Sequence, residues 1–129
     1  GQTPALGADT IVVLEGEILL KPGSRQEAAG MLRKLSGRRH EVISAVAVAL
    51  GGERVTSLVN RTGVTFDRLP EHWIARYSSG EEPMDKAGAY AVQGLAARWI
   101  SHIDGSFSGV MGLPLFETAL LLQQSGLLE

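Results

Sequence analysis

"DTIVVLEGEILLKPGSRQEAAGMLRKLSG", residues 9–37, carries the local signals of a strand, a turn, a second strand and a helix in one unbroken stretch. The β-branched run at 9–14 reads as a buried strand. Glu15, Gly16 and Glu17 signal a turn, and residues 18–20 return as a short partner strand. Ser24 followed by Glu27 forms a capping box, which satisfies free N–H groups at a helix start. Ala28, Met31, Leu32 and Leu35 then share one helical face, and Gly37 is placed to end the helix.

Outward from this stretch the pattern continues. Residues 40–50 predict a second long strand, "GGE" at 51–53 turns it, and 54–66 predict a third with an irregularity at Asn60 to Gly63. Residues 70–80 predict a short helix with Pro70 near its first turn and Trp73, Ile74 and Tyr77 facing inward. Residues 91–103 read partly as strand, 104–114 as a Gly-rich connection, and 115–126 as a final helix. Strands and helices alternate, but several strands are joined by tight turns. The expected fold class is therefore α/β, with a mixed sheet and flanking helices in place of an all-parallel doubly wound arrangement. Without repeats or linkers, residues 1–129 read as a single domain.

Bulk properties narrow the function. A chain of 129 residues with 44% hydrophobic content can bury one core. A net charge of −2 provides no general field for nucleic acid or an anionic membrane. The absence of cysteine excludes disulfides, thiolate metal sites and a cysteine nucleophile. The longest nearly apolar run, 42–50, is too short to cross a bilayer, and the start has neither the basic nor the apolar region of a signal peptide. A soluble, cytoplasmic protein is expected. The chain begins with Gly and enters a strand-like segment almost at once, as a trimmed start would.

"EPMDKAGAYAVQG", residues 82–94, has no period of 2 or 3.6 and places Asp85 and Lys86 beside three small residues. Lys86 next to Gly88 offers a cation where a ligand can approach bare backbone. Alternatively, Asp85 and Lys86 form a surface ion pair of little energetic consequence. The Gln93 amide can pair bidentately with uracil or thymine, whose N3–H is flanked by carbonyls, and equally with adenine. Asp9, after a Gly-Ala pair at a strand start, suits metal binding or general-base work, though such an Asp is more often a solvated turn residue. Lys21 before Pro22 has a constrained backbone and can neutralise a phosphate, or be a plain surface lysine. The basic run at 33–40 is better read as cations favouring a helix end than as a phosphate site. His40, His72 and His102 lack metal-ligand spacing, and no Walker loop, nucleophile elbow or GxGxxG is present.

In combination the motifs are specific. "LGADTIVVLEGEILLKP", "EAAGMLRKLSGRRHEV", "SGEEPMDKAGAYAVQG" and "IDGSFSGVMGLPLFET" stand in the order and spacing of the Maf family. The chain resembles these nucleoside triphosphate pyrophosphatases, named for an association with septum formation, over nearly its whole length. The resemblance implies an elongated mixed sheet related to that of inosine triphosphatases, and hydrolysis between the α- and β-phosphates. It implies Asp9 as catalytic acid–base and metal ligand, with Lys21 and Lys86 in the phosphate and catalytic site. Thr10 and Gln93 would bear on substrate choice, and Gly88 would let the nucleotide approach the main chain. A divalent metal, Mg²⁺ or Mn²⁺, is the implied cofactor, and a homodimer is the assembly common in the family. "ADT" with "QG" is similar to the subfamily acting on dTTP and UTP, in contrast to the 7-methyl-GTP subfamily, which has Gln after the Asp and Glu in the second position. Purine specificity of the inosine triphosphatase kind suits Gln93 and Thr10 less well.

Family members usually begin with a strand, a Ser-x-Ser-Pro-Arg-Arg loop and a helix bearing a needed Glu, and this sequence starts about one-third of the way into that pattern. Two readings follow: a pyrophosphatase whose remaining residues lie elsewhere, or a non-catalytic nucleotide-binding or cell-division regulatory module. Exposed sheet edge and apolar surface are expected where that part would pack.

Overall fold

In a computed structural model of the chain, residues 4–51 and 55–128 are described. Strand β1 (Ala5–Leu14) turns at Glu15 and Gly16 into β2 (Glu17–Leu19), and helix α1 (Arg25–Leu35) follows. Two long strands come next, β3 (Arg39–Ala49) and β4 (Val55–Phe66), then helix α2 (Glu71–Ser78). Two 3-10 turns at Ala87–Ala89 and Leu95–Trp99 lead into β5 (Ile100–Asp104), and helices α3 (Phe107–Met111) and α4 (Leu115–Gln124) complete the order.

The five strands run in the order β2-β1-β3-β4-β5, and all four pairings are antiparallel. The α/β class with flanking helices is as expected, but among the described residues the sheet is antiparallel throughout and not mixed. Short returns set the direction of β1–β2 and β3–β4, whereas β1–β3 and β4–β5 are antiparallel across longer connections that contain helices. β1 pairs with β3 along Ala5–Val13 but with β2 only along Val12–Leu14. Among the described residues, its outer edge is therefore unpaired from Ala5 to Ile11.

The capping box at the start of α1 forms in part, with the Ser24 hydroxyl accepting from Glu27 N–H at 3.1 Å. Such a cap contributes about 1 kcal/mol. Ala28, Met31, Leu32 and Leu35 are all buried against Val12, Leu14, Leu19, Phe66, Leu69 and Ile74 in the main core. Gly37 takes φ +68 just past the helix, the left-handed conformation that favours glycine there. In α2, Ile74 and Tyr77 are buried, while Trp73 is half-buried and stacks on Tyr77 with ring centroids 4.5 Å apart.

Three expectations shift. β4 runs unbroken through Asn60 to Gly63, and the irregularity lies at Thr65/Phe66. Asn60 turns its side chain to Glu117 and Thr62 instead of bending the backbone, and Gly63 lies against the Arg39 guanidinium, where a Cβ would overlap it. Of 91–103 only the residues from Ile100 on are strand, as part of β5 (Ile100–Asp104). The Gly-rich connection at 104–114 contains helix α3, because the Ser106 hydroxyl accepts from Gly109 N–H at 3.0 Å and Gly112, at φ +110, closes the helix. The turn expected at 51–53 lies, from Gly52 on, outside the described residues. No helix among the described residues is long and apolar enough to cross a membrane.

Candidate active site

Segments spread from Ala8 to Gly112 meet in one cleft of about 260 Å³, with Val42 of β3 among its lining. β1 contributes Ala8, Asp9, Thr10 and Val12, and the segment after β2 contributes Lys21. The turn at 85–90 contributes Asp85, Lys86, Ala87 and Tyr90, and the end of α3 contributes Val110, Met111 and Gly112. The volume falls just under the roughly 300 Å³ at which ordinary ligand pockets begin, so a base or a phosphate tail fits while a larger ligand would extend past these walls.

Sheet geometry sets the floor. Asp9 and Thr10 sit mid-strand opposite Ala45 and Ser44 of β3. Successive residues of a strand point to opposite faces, yet both border the cleft, since Asp9 is exposed at the unpaired edge of β1. One Asp9 carboxylate oxygen accepts from Thr10 N–H at 3.0 Å, and among the described residues the other has no hydrogen-bond donor. The Thr10 hydroxyl lies 3.0 Å from that of Ser44.

The two lysines lie on segments tied by one backbone bond. Gly88 N–H donates to the Leu20 carbonyl at 3.2 Å, which joins the segments that carry Lys21 and Lys86 beside the cleft. Gly88 has φ +74, and Ala89 follows in the same left-handed region at φ +66. Ala89 is fully buried, and a non-glycine residue in this conformation carries about 1–2 kcal/mol of strain. Strain of that kind persists only where surrounding contacts over-determine the backbone. Lys86 Nζ stands 3.6 Å from Asp85 Oδ1, with Lys86 half-buried and Asp85 mostly in solvent, so the pair is weak and the ammonium remains available to a ligand.

Behind the cleft, Tyr90 Oη bonds His40 Nε2 at 2.6 Å, and Phe66 packs edge-on to Tyr90 and stacks on His40. Burial lowers the His40 imidazole from 6.5 to about 4 and pushes the Tyr90 phenol well above its ordinary value. Both groups are therefore neutral near pH 7. Within the described residues His40 Nδ1 has no hydrogen-bond partner. An unfolded His40 takes up a proton near 6.5, whereas the folded one resists until about 4, so acid favours unfolding. Stability should be full above pH 6.5 and fall as pH drops from 6.5 through about 4, by about 3 kcal/mol at most. Urea midpoints measured across that range for the unmodified chain and for His40→Gln check this, the slope above pH 5 being weaker in the variant.

The family described as "Maf-like protein" matches residues 2–125. This chain belongs to the Maf family. It is 55% identical over 125 residues to a protein of Nitrosospira multiformis named "dTTP/UTP pyrophosphatase", covering 96% of this chain and 59% of that one. It is 50% identical over 119 residues to the protein of that name from Escherichia coli K12, covering 92% and 60%. A Haemophilus ducreyi protein named "Nucleoside triphosphate pyrophosphatase" is 50% identical over 121 residues, covering 94% and 61%. The chain thus spans about three-fifths of the length of these curated relatives.

Of the Maf motif residues singled out in the sequence, Asp9, Thr10, Lys21 and Lys86 border the one cleft. Gly88 is buried behind its wall, where a Cβ would come within 3.0 Å of Val12 Cγ2. Its bareness serves packing against β1. Gln93 is exposed and is not among the cleft residues. Tyr90 and Met111 were not foreseen as cleft residues, nor His40 and Ser44 as their support. The glycines at 105, 109 and 112 were the only local signal toward the α3 wall.

Proposed function

We propose that this chain takes part in hydrolysing the α–β anhydride of dTTP or UTP, giving the monophosphate and pyrophosphate. The observation that carries the reading is the meeting of the Asp9 carboxylate with two ammonium groups, Lys21 and Lys86, on one cleft. Relatives at 50–55% identity that are named for this activity support it.

Asp9 is placed to accept the proton of an attacking water, the role a carboxylate at a wet cleft edge performs best. Lys21 and Lys86 offset charge on the phosphates and on the departing pyrophosphate, where electrostatic positioning carries most of phosphoryl-transfer catalysis. Asp9 and Asp85, which both border the cleft, would supply the carboxylates that hold a divalent cation. Mg²⁺ or Mn²⁺, which favour oxygen ligands, would take the rest from phosphate and water. When bound, such a cation neutralises phosphate charge and makes a bound water more acidic. Thr10, on the wall, is the better placed of the two selectivity residues, and Gln93 would meet only a ligand extending beyond the described walls.

The test is pyrophosphate release from dTTP, UTP, CTP and GTP with Mg²⁺ or Mn²⁺, together with UTP binding by calorimetry. Faster release from dTTP and UTP than from CTP and GTP is the expected result. Binding without release from any nucleotide would favour the binding-module reading. Neither binding nor release would overturn the nucleotide reading altogether.

A further inference from the structure

What the Thr10 hydroxyl can do in the cleft is decided by two residues behind it. Ser44 is fully buried and lies directly opposite Thr10 in the β1–β3 register. Its Oγ is 2.6 Å from the carbonyl oxygen of Gly109 in α3 and 3.0 Å from Thr10 Oγ1. A carbonyl only accepts, and a hydroxyl has a single proton. The Ser44 proton is therefore committed to Gly109, and in the Thr10–Ser44 bond Thr10 must be the donor. The Thr10 proton points inward, and its oxygen has only lone pairs left for the cleft. Gly112 leaves that oxygen uncovered, since even a Cβ there would be 3.5 Å away and in contact with it.

We propose that Ser44 is a specificity-determining positioning residue, which through this relay holds Thr10 as an obligate acceptor, so that the ligand edge meeting Thr10 must carry a hydrogen. The inference rests on the nucleotide reading of the cleft and adds a polarity to it. Uracil and thymine present N3–H, a donor, whereas cytosine presents a bare N3 lone pair that would face the lone pairs of Thr10. An unmade hydrogen bond between two acceptors is costlier than a missing one, because both groups lose their water. The relay also ties the base-reading wall of β1 to α3, so selectivity depends on a residue that touches no ligand.

The experiment compares kcat/KM for UTP and CTP in the unmodified chain, in Ser44→Ala and in Thr10→Val. Both nucleotides carry the same ribose, so a sugar hydroxyl bonded to Thr10 cannot change their ratio. Without Ser44 the Thr10 hydroxyl is free to rotate and donate, and the preference for UTP should fall about tenfold, the scale of one hydrogen bond. A merely structural role would lower both substrates alike and leave the ratio unchanged. Thr10→Val should also erase the preference, and it decides the matter if Ser44→Ala does not fold. A folded Ser44→Ala or a Thr10→Val that keeps the original preference overturns the relay while leaving the nucleotide reading intact. If the unmodified chain neither binds nor cleaves UTP, the reading fails and this inference with it.

Discussion

Asp9→Asn should lower pyrophosphate release from UTP by about 10²–10⁴-fold, the range lost when a positioned general base is removed. The substitution keeps the shape of the side chain and an oxygen able to accept from Thr10 N–H, the contact that Asp9 makes in the fold. Asp9 is exposed and at an unpaired strand edge, so nothing in the core depends on its charge. The thermal midpoint should therefore move by no more than about 2 °C. Nucleotide binding should survive in part, since Lys21 and Lys86 stay in place to meet the phosphates. Turnover close to that of the unmodified chain would remove Asp9 from the chemistry and shift attention to Asp85, the other carboxylate on the cleft.

Gly88→Val is expected to have the largest effect on stability. At φ +74 any side chain is strained, and a β-branched one most of all. The added Cβ would also press on Val12, with all three of its side-chain carbons within 3.3 Å. Left-handed strain of about 1–2 kcal/mol and overpacking of about 1–3 kcal/mol together approach the lower end of a small domain's stability, about 5 kcal/mol. Denaturant unfolding should show the loss directly. Where the chain still folds, the turn can relieve the clash only by moving away from β1, which breaks the bond from Gly88 N–H to Leu20 and separates Lys86 from Lys21. Lys86→Met should lower activity without this loss of stability, because among the described residues the one ion pair of Lys86 is with Asp85, itself mostly in solvent. Equal stability in Gly88→Val and the unmodified chain would show that the turn accommodates a side chain after all.

These two outcomes divide what is readable in a sequence from what is not. The capping box at Ser24, the apolar face of α1, the β-branched run of β1 and the turn at Glu15 and Gly16 all appear in the fold, because each depends on dihedral preference or periodicity over a few residues. Where local reading failed, a distant partner intervened. Asn60 and Gly63 looked like a break, yet Glu117 and Arg39 from elsewhere in the chain absorb them into a continuous strand.

By itself, then, the sequence determined the α/β class, the helix and strand signals, and the chemical identities of Asp9, Thr10, Lys21 and Lys86. Only the tertiary structure decided that Lys21 and Lys86 share a cleft, that Gly88 is a packing glycine, that Gln93 stands outside, and that Ser44 sets the polarity of Thr10. The physical reason is range. Backbone preferences act between near neighbours, whereas a cleft is made by hydrogen bonds and contacts between residues tens of positions apart, such as Leu20 with Gly88 and Ser44 with Gly109.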